Sequence, residues 1–107
     1  MRGLWTVLGG VFVISTVILL NGAKAGSPPP SSELGSEIAA RWCAACHVVA
    51  ASGAGTDSAP AFATIAAKRE ADDIRAFLMQ PHAKPMRGFT LTEREIIDVT
   101  AYIQSLK

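Results

Sequence analysis

Cys43-Ala44-Ala45-Cys46-His47, preceded by Trp42 and followed by Val48-Val49, holds both cysteines of the chain and one of its two histidines. On a helix, residues at i, i+3 and i+4 lie on one face, so this spacing brings two thiols and an imidazole to one site. Two sulfurs so placed can form thioethers with the two vinyl groups of a haem, while a ring nitrogen of His47 reaches the iron. Cys-x-x-Cys-His is the recognised signature of covalent haem attachment, and two alanines between the cysteines suit a haem held tight against the backbone. Three other chemistries use such residues. A Cys43–Cys46 disulfide closes too short a loop to stabilise much and gives His47 no role. A thioredoxin-like dithiol belongs in a strand–helix–strand unit, for which there is no pattern. A zinc site needs a fourth ligand, and His82 is the only histidine left to supply it.

Outward from the motif, the chain reads as helices and loops. No stretch alternates apolar and polar residues between turn signals, so a sheet is not expected. The first helix is expected over 33–46, with Leu34, Ile38 and Trp42 on one face. Gly35 and Ala39 leave a shallow strip where another helix can approach closely. After a loose segment over 48–59, Pro60 leads a short helix in which Phe62, Ile65 and Ala66 share a face. A third helix is expected over 71–80 with Ile74, Phe77 and Leu78 inward, ended by Pro81. Thr92 and Glu95 have the spacing of a capping box, and Leu91 and Ile96 that of a hydrophobic staple. Ile96, Val99, Ile103 and Leu106 then make a buried stripe on the last helix.

The N-terminal end has a different character. Arg2 precedes residues 4–20, which carry no charge, and Ala23-Lys24-Ala25 follows. A positive start, an apolar stretch and small residues two apart make a secretory signal cleaved after Ala25, giving residues 1–25 as leader. The alternative is an uncleaved membrane anchor, since 17 residues is near the lower limit for a spanning helix. Either way, residues 26–107 lie outside the cytoplasm, and a periplasmic or otherwise exported location is expected. Residues 26–32, Gly-Ser-Pro-Pro-Pro-Ser-Ser, read as a soluble linker. Residues 33–107 form the domain. Beyond Ala25 there are eight Lys and Arg against nine acids, so no basic excess points to nucleic acid. A domain this small buries little surface and needs a staple such as a cofactor.

Beyond the haem signature, the chain resembles the class I, mitochondrial-like bacterial cytochrome c family over 33–107. The residues carrying the resemblance are Gly35 eight positions before Cys43, Pro60-Ala61-Phe62 after the haem loop, a methionine loop before the last helix, and Ala101-Tyr102-Ile103 within it. The resemblance implies an all-α fold of about four helices wrapped around one covalent haem. It implies that Gly35 packs where the first and last helices cross, against Tyr102. It also implies that the Pro60 carbonyl accepts a hydrogen bond from the second ring nitrogen of His47. One departure is Ala39, where longer members carry an aromatic residue; Trp42 or Ile38 is available to fill that space.

Iron with one axial histidine has an open side, and what fills it decides the function. Met79, His82 and Met86 are the candidates beyond the leader. Met79 falls within a helix, where methionine usually fills an irregular gap. His82 follows a helix-ending proline and reads as exposed. Met86 stands in a loop braced by Pro81 and Pro85, and the family's methionine loop implies the same residue. The expected protein is therefore a single-electron carrier, not an enzyme, with His47 and Met86 on the iron. Redox proteins are its expected donor and acceptor, with membrane association if the leader is retained. Leu34, Trp42, Phe62, Ile65, Phe77, Leu78, Phe89, Ile96, Val99 and Tyr102 are the candidates for core and pocket. Lys84 and Arg87 flank Met86 and could guide an acidic partner. The alternative function is a gas sensor or haem enzyme whose sixth ligand is displaceable.

Overall fold

The computed structural model describes residues 26–81, 86 and 90–107. Within them the chain forms four helices and no strand: α1 Ser32–Trp42, α2 Phe62–Lys68, α3 Ala71–Met79 and α4 Glu93–Gln104. The leader and the expected positions of His82, Lys84, Arg87 and Phe89 lie outside the described residues. No described helix is long and apolar enough to cross a membrane.

The terminal helices pack on one another because their sequences let backbones meet. Gly35 and Ala39 are the buried residues of α1. Where α1 crosses α4, Gly35 faces the backbone of Asp98 and the β-carbon of Tyr102. Ser31 caps α1, its hydroxyl accepting from the Leu34 amide at 3.1 Å. The start of α4 carries both halves of the capping box. The Glu95 amide donates to the Thr92 hydroxyl at 3.2 Å, and the Thr92 amide donates to the Glu95 carboxylate at 2.8 Å. Two free N–H groups at the helix start are thereby satisfied.

The core is built from Ala39, Phe62, Ala66, Ile74, Val99 and Ile103, with Ile38, Ile65, Leu78, Leu91, Tyr102 and Leu106 half-buried around it. Three of the candidates for core and pocket stand outside this core. Leu34, Trp42 and Phe77 are 49%, 45% and 55% exposed. The small-residue strip takes the α1 interface, which turns the adjacent Leu34 and Trp42 away from it. On α3, Ile74 is buried in the core and Leu78 packs against it, while Phe77 is exposed. Ile38 is half-buried against the core beside Ala39.

Residues 26–31 are not a loose tether throughout. The Arg94 guanidinium donates to the carbonyl oxygens of Pro28 at 2.5 Å and Pro29 at 2.6 Å. It also pairs with Asp98 at 2.8 Å, and the buried Asp98 carboxylate accepts from the Ser31 amide at 2.9 Å. A buried carboxylate needs partners of this kind to offset its lost hydration. The strap leading into α1 is thereby held on α4.

Candidate haem site

The Cys-x-x-Cys-His stretch starts where α1 stops. The expected helix over 33–46 ends at Trp42, because the Ala39 carbonyl accepts from both Cys43 N–H at 2.9 Å and Ala44 N–H at 3.0 Å, closing the last turn. The chain then makes one more turn: Cys46 N–H donates to the Cys43 carbonyl at 3.2 Å, and His47 N–H to the same oxygen at 2.9 Å. The second of these is a helical i to i+4 bond. It keeps Cys43, Cys46 and His47 in the one-turn relationship that the motif needs, on a turn rather than in a continuous helix.

Cys43 is half-buried and Cys46 exposed, and the two are not joined as a disulfide. Burial pushes the Cys43 thiol above its ordinary range, because an apolar setting disfavours the thiolate. Among the described residues, no group of three or more His, Cys, Asp or Glu is placed to hold a metal ion. His82, the fourth ligand a zinc site would need, lies outside the described residues.

His47 is oriented from two sides. Its Nδ1 lies 2.7 Å from the Pro60 carbonyl oxygen, and its ring centroid is 5.4 Å from that of Phe62. A carbonyl oxygen can only accept, so Nδ1 carries the proton and the Nε2 lone pair is left for a metal. The loop that supplies Pro60 is tied to the motif and to α4. Phe62 N–H donates to the Val48 carbonyl at 2.9 Å, and the Tyr102 hydroxyl donates to the Val49 carbonyl at 2.5 Å. Tyr102 thus meets Gly35 on one side and fixes the residues just after His47 on the other.

Of the candidates for the other side of the iron, Met86 is half-buried in a bend between α3 and α4, and Met79 is 53% exposed on α3. Met79 therefore does not fill a gap in the core as its helical position suggested. His82 is outside the described residues. A shallow groove of about 210 Å³ between α1 and α4, lined by Leu34, Glu37, Ile38, Arg41, Glu95 and Asp98, includes none of these residues.

Against this geometry, the family model for cytochrome c matches residues 32–107. Cytochrome c-552 of Bradyrhizobium diazoefficiens is 43% identical over 77 residues, covering 68% of this chain and 72% of that protein. The chain belongs to the cytochrome c family. It is a bacterial class I c-type cytochrome, an electron carrier that works with redox partners and has covalently bound haem c as its cofactor. No solved structure matches the chain.

The residues of this cytochrome fit the group. Two thiols on one turn and an imidazole with Nε2 left available suit the two vinyls and the iron of a haem. Two contributions to the site were not anticipated. Tyr102 reaches Val49 across 53 positions, a contact that no local pattern announces. Gly55, in the loose segment over 48–59, is the other.

Proposed function

We propose that this cytochrome is an exported single-electron carrier with one haem, attached through Cys43 and Cys46, and with His47 and Met86 on its iron. The observation that carries this reading is the 2.7 Å approach of His47 Nδ1 to the Pro60 carbonyl. A hydrogen bond there fixes the tautomer and ring orientation and makes Nε2 a stronger donor. Haem, when bound, supplies a one-electron iron couple. Cys43 and Cys46 would anchor it to the turn after α1, and His47, braced by Pro60 and Phe62, would hold one axial position. Met86 would fill the other with a neutral thioether, a pairing that raises the potential. With both positions filled by side chains, no coordination position is offered to a substrate, which favours a carrier over an enzyme or gas sensor.

The half-buried setting of Met86 and its place between α3 and α4 support it over the exposed Met79. Export follows from the leader-like residues 1–25, because haem attached through cysteines belongs to proteins matured outside the cytoplasm.

Potentiometry of the matured protein tests the reading. One reversible couple with one-electron Nernst behaviour is expected, with reduced protein that does not bind carbon monoxide. Ready carbon monoxide binding would move the assignment to the gas-sensing or enzymatic class.

A further inference from the structure

His47 depends on the Pro60 carbonyl; Phe62 is tied to Val48 on the far side of Pro60, and on the near side the carbonyl depends on the loop over 55–59. Pro60 has no N–H of its own, so its peptide is placed by its neighbours. Thr56 supplies part of the support: its amide donates to the Ala59 carbonyl at 3.1 Å, and its hydroxyl accepts from the Ala59 amide at 3.0 Å. The rest comes from Gly55. A β-carbon there would overlap the Ala61 backbone nitrogen and lie 2.7 Å from both the Ala59 carbonyl oxygen and the Pro60 carbonyl carbon. All three atoms are backbone, so no rotamer change could make room. The loop itself would have to move, and the Pro60 carbonyl with it.

Gly53 makes a useful contrast. It has φ +121°, a conformation that favours glycine, but a β-carbon there would meet only the Val48 side chain, nearest at 2.9 Å. Gly53 serves the backbone turn; Gly55 serves the space beside Pro60.

We infer that Gly55 is a positioning residue for the electron-transfer site: its missing side chain lets the Pro60 carbonyl reach His47 Nδ1, and this contact sets how strongly His47 donates to iron. The inference rests on His47 being an axial ligand. Drawing proton density from Nδ1 makes the imidazole more electron-rich, which favours Fe(III). Displacing the carbonyl removes that effect, so the potential must rise.

The experiment compares matured wild type with Gly55→Ala, Thr56→Val and Gly53→Ala by potentiometry and by proton NMR of the reduced, diamagnetic form. In Gly55→Ala the potential should shift upward, and the His47 Nδ1 proton should exchange with solvent about tenfold faster, as expected when a hydrogen bond is lost. Thr56→Val leaves Gly55 in place and replaces the hydroxyl that accepts from the Ala59 amide with a methyl, so it should move both readouts the same way by less. It serves in place of Gly55→Ala if that variant does not mature. Gly53→Ala should lower stability with the potential unchanged. If Gly55→Ala and Thr56→Val lose stability while potential and exchange stay at wild-type values, Gly55 has no positioning role. A wild type whose His47 ring protons lack the upfield ring-current shift of a haem ligand would instead overturn the axial assignment itself.

Discussion

Gly35 meets the Asp98 carbonyl so closely that a β-carbon on Gly35 would fall inside the oxygen's van der Waals envelope, and 2.8 Å from Tyr102 Cβ. This contact lies where the first helix crosses the last. It also links them to the haem site, since Tyr102 carries the hydroxyl that holds Val49 two residues after His47.

Gly35→Ala is therefore expected to destabilise the folded protein. Alanine improves helix propensity by about 1 kcal/mol, but forcing apart two packed backbones costs about 1–3 kcal/mol or more. The net loss should appear as a lower denaturant midpoint with an unchanged slope. A midpoint at or above wild type would mean that the helices separate without penalty.

The strap on α4 gives a second prediction. Asp98 is 2% exposed and is satisfied by Arg94 and Ser31. Asp98→Asn should cost about 1.5–3 kcal/mol, the range for hydrogen bonds to charged groups. Arg94→Ala should cost a similar amount, because it strands the carboxylate and releases Pro28 and Pro29. The two losses should not add, since both variants break one network. A fully additive double mutant would show that the pair is not coupled.

Much of this architecture is legible in the sequence, for reasons that differ by element. Thr92 and Glu95 announce the start of α4 because a capping box is local and needs only its own residues. Gly35 and Ala39 identify the interface of α1 because close approach requires small side chains. Leu34 and Trp42 misled because apolar spacing on a helix shows which residues share a face, not which of two adjacent faces is buried. The end of α1 was also invisible, since the double acceptance at the Ala39 carbonyl leaves no residue signature. The strap lay hidden for a different reason. A proline-serine stretch reads as linker by composition, and its capture depends on Arg94, more than 60 positions away.

Attachment is checked on a single thiol. Haem on the matured wild type should survive acid-organic extraction and denaturing electrophoresis. Cys46→Ser should leave one thioether through Cys43 and one unreacted vinyl, which shifts the pyridine haemochrome to the red. Haem that extracts freely from matured wild type would defeat attachment through these cysteines.

Processing can be read by mass. Cleavage after Ala25 predicts a mature protein starting at Gly26, two residues before the Pro28 carbonyl that Arg94 holds. An intact N-terminal peptide spanning residues 4–20 on a membrane-bound protein would favour the anchor. The strap would then leave only residues 21–27 between that stretch and the held Pro28, and the haem domain would be held close to the bilayer surface.

The final prediction separates Met86 from Met79. A sixth ligand must reach the iron from the side opposite His47, so its backbone has to be carried away from the turn after α1. Met86 is on such a segment, half-buried in a bend after α3, with Pro81 and Pro85 restricting the chain before it folds. Leu91 and Thr92 then secure the far end, Leu91 against the core and Thr92 in the cap of α4. Met79 has its direction set by α3 and stands 53% exposed. Met86→Ala should abolish the weak near-infrared iron–thioether band of the oxidised protein, lower the potential and let carbon monoxide bind the reduced haem. Met79→Ala should leave all three readouts unchanged and alter stability by no more than about 0.5 kcal/mol, as exposed substitutions do. If the near-infrared band survives in Met86→Ala and vanishes in Met79→Ala, the thioether ligand comes from α3, and the bend that carries Met86 has some other task.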